Sequence, residues 1–108
     1  MKKLLMSDLR QRFPVPSEKV EEFCRRHKIR RLSLFGSVLR DDFGPDSDVD
    51  VLVDYEAGAQ VSLFDLVRQE KELSALVGRK VDLRTPEELS RFFRNDVIRE
   101  AALQYVAA

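Results

Sequence analysis

The sequence predicts a mixed α/β domain, and three observations point to it. Residues 47–55 alternate Asp48 and Asp50 with Val49, Val51 and Val53, the period-two pattern of a strand. Residues 62–78 open with Ser62 and Asp65 at capping-box spacing, carry apolar residues at helical spacing and stop at Gly78. Residues 80–84, Lys-Val-Asp-Leu-Arg, then repeat the Val-Asp alternation.

At 108 residues the expectation is one domain, 1–108, with 1–15 a loose or weakly helical lead-in ending at Pro14 and Pro16. That length supports a core but leaves no room for a separate substrate-binding domain. Hydrophobic content of 44% and seven Phe argue for a folded globule. Nineteen Lys plus Arg balance nineteen Asp plus Glu, which argues against a dedicated nucleic-acid binder. No apolar run is long enough for a membrane span, and the start MKKLLMSDLRQ lacks the apolar stretch of a signal peptide. Cys24 is the single cysteine and has no internal disulfide partner. A cytoplasmic protein is expected.

In chain order, Ser17 is placed to cap a helix running to Arg26 or His27, with Val20, Phe23 and Cys24 inward. Cys24 reads as a small core residue. His27, the only histidine, reads as a helix-end residue favoured by the dipole, a metal or catalytic role being the alternative. Residues 30–35 form the first strand. Residues 42–47 are turn chemistry around Gly44-Pro45-Asp46. The strand 47–55 is central and buried on much of both faces, and 56–60 is a loop. In the helix from Ser62 to Gly78 the expected buried stripe is Leu63, Leu66, Val67, Leu73, Leu76 and Val77, with 68–72 a solvated face. Thr85-Pro86-Glu87-Glu88 starts a final helical region that runs to about Tyr105 with an interruption near Asn95. Phe92 and Phe93 are assigned to the core, a partner surface being the alternative.

The chemistry lies in 34–54, LFGSVLRDDFGPDSDVDVLVD. Gly36 follows an apolar strand and permits a tight turn where backbone must approach a ligand. Ser37 opens a short helix whose exposed N–H groups suit phosphate. On the next strand Asp48 and Asp50 share a face, where they repel unless a cation lies between them; a divalent metal with oxygen ligands is the natural occupant. If the strand 80–84 pairs with this one, Asp82 joins the same face. The blander reading makes Asp82 a strand-end charge paired with Lys80 or Arg84. Arg40 could reach a phosphate or be a surface arginine.

Gly36-Ser37, ten residues, then Asp48-Val49-Asp50 resembles the motif of the nucleotidyltransferase superfamily built on the DNA polymerase beta-like palm. Within it the chain resembles the minimal nucleotidyltransferases (MNT), antitoxins usually paired with HEPN-domain partners. The resemblance implies a small mixed sheet flanked by helices, with the site on one exposed sheet face. It implies nucleotidyl transfer from ATP with Mg²⁺, two ions in such sites, held by Asp48, Asp50 and Asp82, and phosphates gripped by Gly36 and Ser37. The family's third acidic residue falls on a strand after this helix, which supports Asp82. The implied acceptor is a hydroxyl side chain of a HEPN ribonuclease toxin, and a homo- or hetero-oligomer is compatible with that. The alternatives are neutralisation of the partner by contact, with a degenerate or regulatory site, and transfer to a small molecule.

Overall fold

The protein is described by a computed structural model that covers residues 5–108. Of the expected loose or weakly helical lead-in, the described part takes the helical form. Met6–Arg12 form helix α1, with Asp8 in the first turn and Arg10 and Arg12 in the last, the arrangement a helix dipole favours. Phe13 is buried and Leu9 packs against the core, which anchors the helix. The first four residues of the expected lead-in lie outside the described residues.

Helix α2 (Ser17–Arg26) buries Val20, Phe23 and Cys24 as expected. Its cap differs: Pro16 holds the N-cap position and Ser17 makes no capping bond, because the Pro16 carbonyl already accepts from the N–H groups of Lys19 and Val20. Burial pushes the Cys24 thiol up to about 12. His27 ends the helix, its ring 4.7 Å from that of Phe23 and its Nε2 3.3 Å from Glu72 Oε2.

Strands β1 (Ile29–Phe35), β2 (Val49–Tyr55), β3 (Val81–Arg84) and β4 (Ala102–Val106) form one sheet in the order β3-β2-β1-β4. β1 is antiparallel to β2 and β4, whereas β2 and β3 are parallel. Parallel neighbours need a crossover, and helix α3 (Leu63–Val77) supplies it. Leu32, Leu34, Val49, Val51, Val53, Val81 and Leu83 are buried together with Phe23, Leu73 and Val77 of the helices. By strand alternation the opposite face carries Asp50, Leu52, Asp82 and Arg84. Leu52 and Ser33 are also buried, so β2 is central and covered on much of both faces, as expected.

α3 is bounded as predicted. Ser62 Oγ accepts from the Asp65 N–H and Asp65 accepts from the Ser62 N–H. Gly78 takes the left-handed conformation at φ +83°. The buried stripe is different, however. It is Gln69, Leu73 and Val77, with Leu66 partly buried, while Leu63, Val67 and Leu76 are exposed. At 100° per residue Val67 stands about 100° around the helix from Leu66, off the inward line. Gln69 enters that line, out of the expected solvated run 68–72, because Tyr55 Oη donates to its Oε1; a buried amide needs such a partner. Other polar residues of α3 serve the edge strand, with Ser74 Oγ and Glu70 Oε2 accepting from the N–H groups of Val81 and Leu83.

The last quarter departs most from expectation. Pro86–Glu88 form one 3-10 turn, Arg94–Glu100 a short helix α4, and the expected helical end to Tyr105 is instead strand β4. Ala101 ends α4 with extended backbone, and pairing along β1 outweighs the high helical propensity of Ala-Leu-Gln. Phe92 and Phe93 are 77% and 64% exposed, not core. Among the described residues no helix is long and apolar enough to cross a membrane.

Replacing the α3 cap, Ser62→Ala, is expected to cost about 1 kcal/mol. Urea unfolding should show a lower midpoint with unchanged slope.

Candidate active site

β1 ends with Phe35 paired to Asp50 of β2, and the chain turns at once at Gly36, φ +74°. A Cβ there would collide with Asp50 Oδ2. The left-handed backbone favours glycine, and a larger residue would also have to push the Asp50 carboxylate aside. Gly36–Leu39 is a single 3-10 turn, and Ser37 Oγ donates to the Asp48 carbonyl at 3.4 Å, tying the turn to the start of β2. Arg40 lies just past the turn on extended backbone. It is exposed, with Nε 3.5 Å from Asp42 Oδ1.

β2 begins at Val49 rather than at residue 47, which leaves Asp48 immediately before the strand and Asp50 within it. Asp82 is the register partner of Asp50 across the parallel pair, so it lies on the same face. The structure thus brings Gly36, Ser37, Asp48, Asp50 and Asp82 to one end of the sheet. His27 stands at the far end of β1, roughly 20 Å away at strand rise.

Two of the three carboxylates have cations nearby, Arg84 on β3 and Lys80 just before it, since the strand starts at Val81 rather than at residue 80. Arg84 Nε is 3.2 Å from Asp82 Oδ1 and Nη2 donates to Asp82 Oδ2 at 3.2 Å. Lys80 Nζ is 3.8 Å from Asp48 Oδ2. Asp82 therefore combines both sequence readings, a third carboxylate on the shared face that is also paired with Arg84. Asp50 has no ion-pair partner among the described residues. Burial, then Asp82, then Asp48 raise its carboxyl above the ordinary 3.8, with Arg84 and Arg40 offsetting part of this. Among the described residues no three His, Cys, Asp or Glu side chains are already gathered into a metal cage. The donor chemistry nevertheless fits a hard divalent cation such as Mg²⁺: the ligands are all carboxylate oxygens, and the central one is crowded by negative charge.

Sequence reasoning missed the parts that hold the connecting loop 40–47. Arg12 Nη1 donates to the carbonyls of Val38 and Arg40, and Arg79 Nη1 to those of Gly44 and Ser47. Both guanidinium groups also lie over the Phe43 ring, at 5.0 and 4.6 Å. Only the Gly44-Pro45 turn was visible locally. The two arginines come from distant points in the chain and have no motif.

A family model described as nucleotidyltransferase domain matches residues 17–105. The chain belongs to the nucleotidyltransferase domain family. This nucleotidyltransferase is 38% identical over 80 residues to the protein adenylyltransferase MntA of Thermococcus cleftensis, covering 74% of this chain and 79% of that one. Among solved structures it resembles one provisionally described as a minimal nucleotidyltransferase, at TM-score 0.65 and 39% identity, covering 79% of this chain and 85% of that one. It shares its fold, at TM-score 0.60 and 18% identity, with a complex of a tri-AMPylated Shewanella oneidensis HEPN toxin and its MNT antitoxin, covering 84% of this chain and 70% of that one. Helix α1 precedes the matched residues.

Two predictions follow from the Gly36–Asp50 contact. Gly36→Ala is expected to cost at least about 1 kcal/mol and to abolish transfer, checked by urea unfolding and an activity assay. Asp50→Asn should act in the opposite sense on stability. The folded state holds the Asp50 proton more tightly than the unfolded chain does, so ionisation opposes folding increasingly as the pH rises above the ordinary 3.8, and fully once it exceeds the raised folded value. Without metal at neutral pH the variant should melt higher than wild type. The gain should shrink as pH falls through the folded value and vanish below the ordinary 3.8, measured by thermal scans across pH.

Proposed function

We propose that this enzyme is an Mg²⁺-dependent antitoxin that transfers AMP from ATP to a hydroxyl side chain of a HEPN-type ribonuclease toxin. The observation that carries the reading is the register of Asp50 opposite Asp82 with Gly36 against Asp50. The name of the Thermococcus relative and the AMPylated state of the toxin in the Shewanella complex supply the acceptor class.

In this reading the Gly36 backbone and Ser37 bind the β- and γ-phosphates, and Arg40, exposed beside the turn, reaches a phosphate oxygen. Asp48 and Asp50 hold Mg²⁺, and Asp82 completes the site on the acceptor side and takes the proton of the attacking hydroxyl. The acceptor oxygen bonds to the α-phosphorus, the bond from that phosphorus to the bridging oxygen breaks, and pyrophosphate leaves. Two magnesium ions, when bound, supply charge stabilisation for the attacking and leaving oxygens. Residues carried by two adjacent strands and a glycine turn keep their spacing without loop rearrangement, which suits an in-line displacement.

Neutralisation by contact alone is the second reading, and the exposed Phe92 and Phe93 favour it as a binding surface. Incubating the protein with α-³²P-ATP, Mg²⁺ and its co-purifying partner separates the two. Label on the partner, absent with Asp48→Asn/Asp50→Asn, is the expected result. An unlabelled partner that is nevertheless bound and inhibited would overturn transfer and leave contact.

A further inference from the structure

β3 places Asp82 and Arg84 on one face by strand alternation; Lys80 stands just before the strand, and the two cations serve different carboxylates. Lys80 reaches Asp48 through a single 3.8 Å approach. Arg84 engages both oxygens of Asp82, each at 3.2 Å, the two-point geometry in which guanidinium matches carboxylate. Arg84 is held in turn from behind, its Nη1 lying 3.9 Å from Glu88 Oε2. Glu88 is fixed because its Oε1 accepts from the N–H and hydroxyl of Thr85. The turn after β3 therefore props the guanidinium against Asp82.

We propose that Arg84 is a positioning residue that competes with the divalent cation for Asp82 and so sets the metal affinity of the site. The inference rests on the proposed metal role of Asp48, Asp50 and Asp82. An oxygen bonded to Arg84 has to be shared or released before Asp82 can ligate an ion, and the guanidinium charge repels the ion as it arrives. Asp50, which has no ion-pair partner among the described residues, is the ligand an ion meets first, and Asp82 joins as Arg84 yields. Aligned by Arg84 while metal is absent, Asp82 stays in register with Asp50 instead of turning into solvent.

The test is Mn²⁺ binding to the intact protein without nucleotide, followed by electron paramagnetic resonance or calorimetry. Arg84→Gln should bind Mn²⁺ roughly three- to tenfold more tightly than wild type at low salt, with the gain shrinking as ionic strength screens the lost charge. Arg84→Lys, which keeps the charge but contacts one oxygen at a time, should gain less. Should the Gln protein fail to fold, Arg84→Met, which keeps the stem packing, takes its place. Wild-type or weaker affinity in the neutral variant overturns the proposal. Asp50→Asn separates the two levels. If wild type binds Mn²⁺ and Asp50→Asn does not, failure of the Arg84 variant condemns Arg84 alone. If Asp50→Asn binds as well as wild type, or neither binds, the metal-site reading falls with it.

Discussion

Mutual repulsion among Asp48, Asp50 and Asp82 is the constraint on which the rest of the molecule turns. Carboxylates on free loops would drift apart, and here they cannot. Asp50 and Asp82 are neighbours in a parallel strand pair, and that pair exists only because α3 crosses from the end of β2 to the start of β3. α3 is fixed in its turn by Leu73 and Val77 in the core. Ser74 and Glu70 bond the outward N–H groups of β3. The helix thus does two things with one set of contacts: it closes the core, and it holds the third carboxylate against the field of the other two.

The turn at Gly36 is the matching constraint on the other side of Asp50. Its position depends on the loop that follows, which has little apolar content of its own beyond Phe43. Arginines from α1 and from the α3–β3 connection bond four carbonyls along Val38–Ser47 and stack on Phe43. Carbonyls near a strand end would otherwise rely on water, and the guanidinium fork is suited to taking more than one at once. Arg12 comes from helix α1, which precedes the family-matched residues 17–105.

What could be read in the sequence was local and periodic. The Val-Asp alternation placed Asp48 and Asp50 on one face, and Ser62, Asp65 and Gly78 bounded α3, because capping and alternation depend on near neighbours. Long-range competition was hidden. Val67 and Leu76 satisfy helical spacing, yet Gln69 took the inward place because Tyr55, on a strand, offered it a hydrogen bond. Residues 101–106 form a short apolar run after an amphipathic stretch, which periodicity cannot assign; only the free edge of β1 makes them a strand. Lys80 and Arg84 were both visible as candidate partners of Asp82, but that Lys80 meets Asp48 instead depended on the parallel register.

The shape of the site bears on the size of its acceptor. The site's carboxylates lie on the open face at one side of a small sheet, and Asp48 and Asp82 remain partly exposed. Two cavities among the described residues lie elsewhere. One is lined by Glu18, Glu21, Glu22, Arg25 and Arg26, the other by residues that include Arg26, His27, Lys28 and Gln69. A small acceptor is selected by enclosure, through a concave site that buries most of its surface, whereas Asp48, Asp50 and Asp82 each keep part of their surface exposed. A macromolecular acceptor brings its own enclosing surface. It can dock over the open face, exclude water from the reacting centre and present one hydroxyl in line with the α-phosphorus. An open carboxylate face therefore supports the proposed protein acceptor over a small-molecule one, on grounds of surface shape that are independent of the name of any relative.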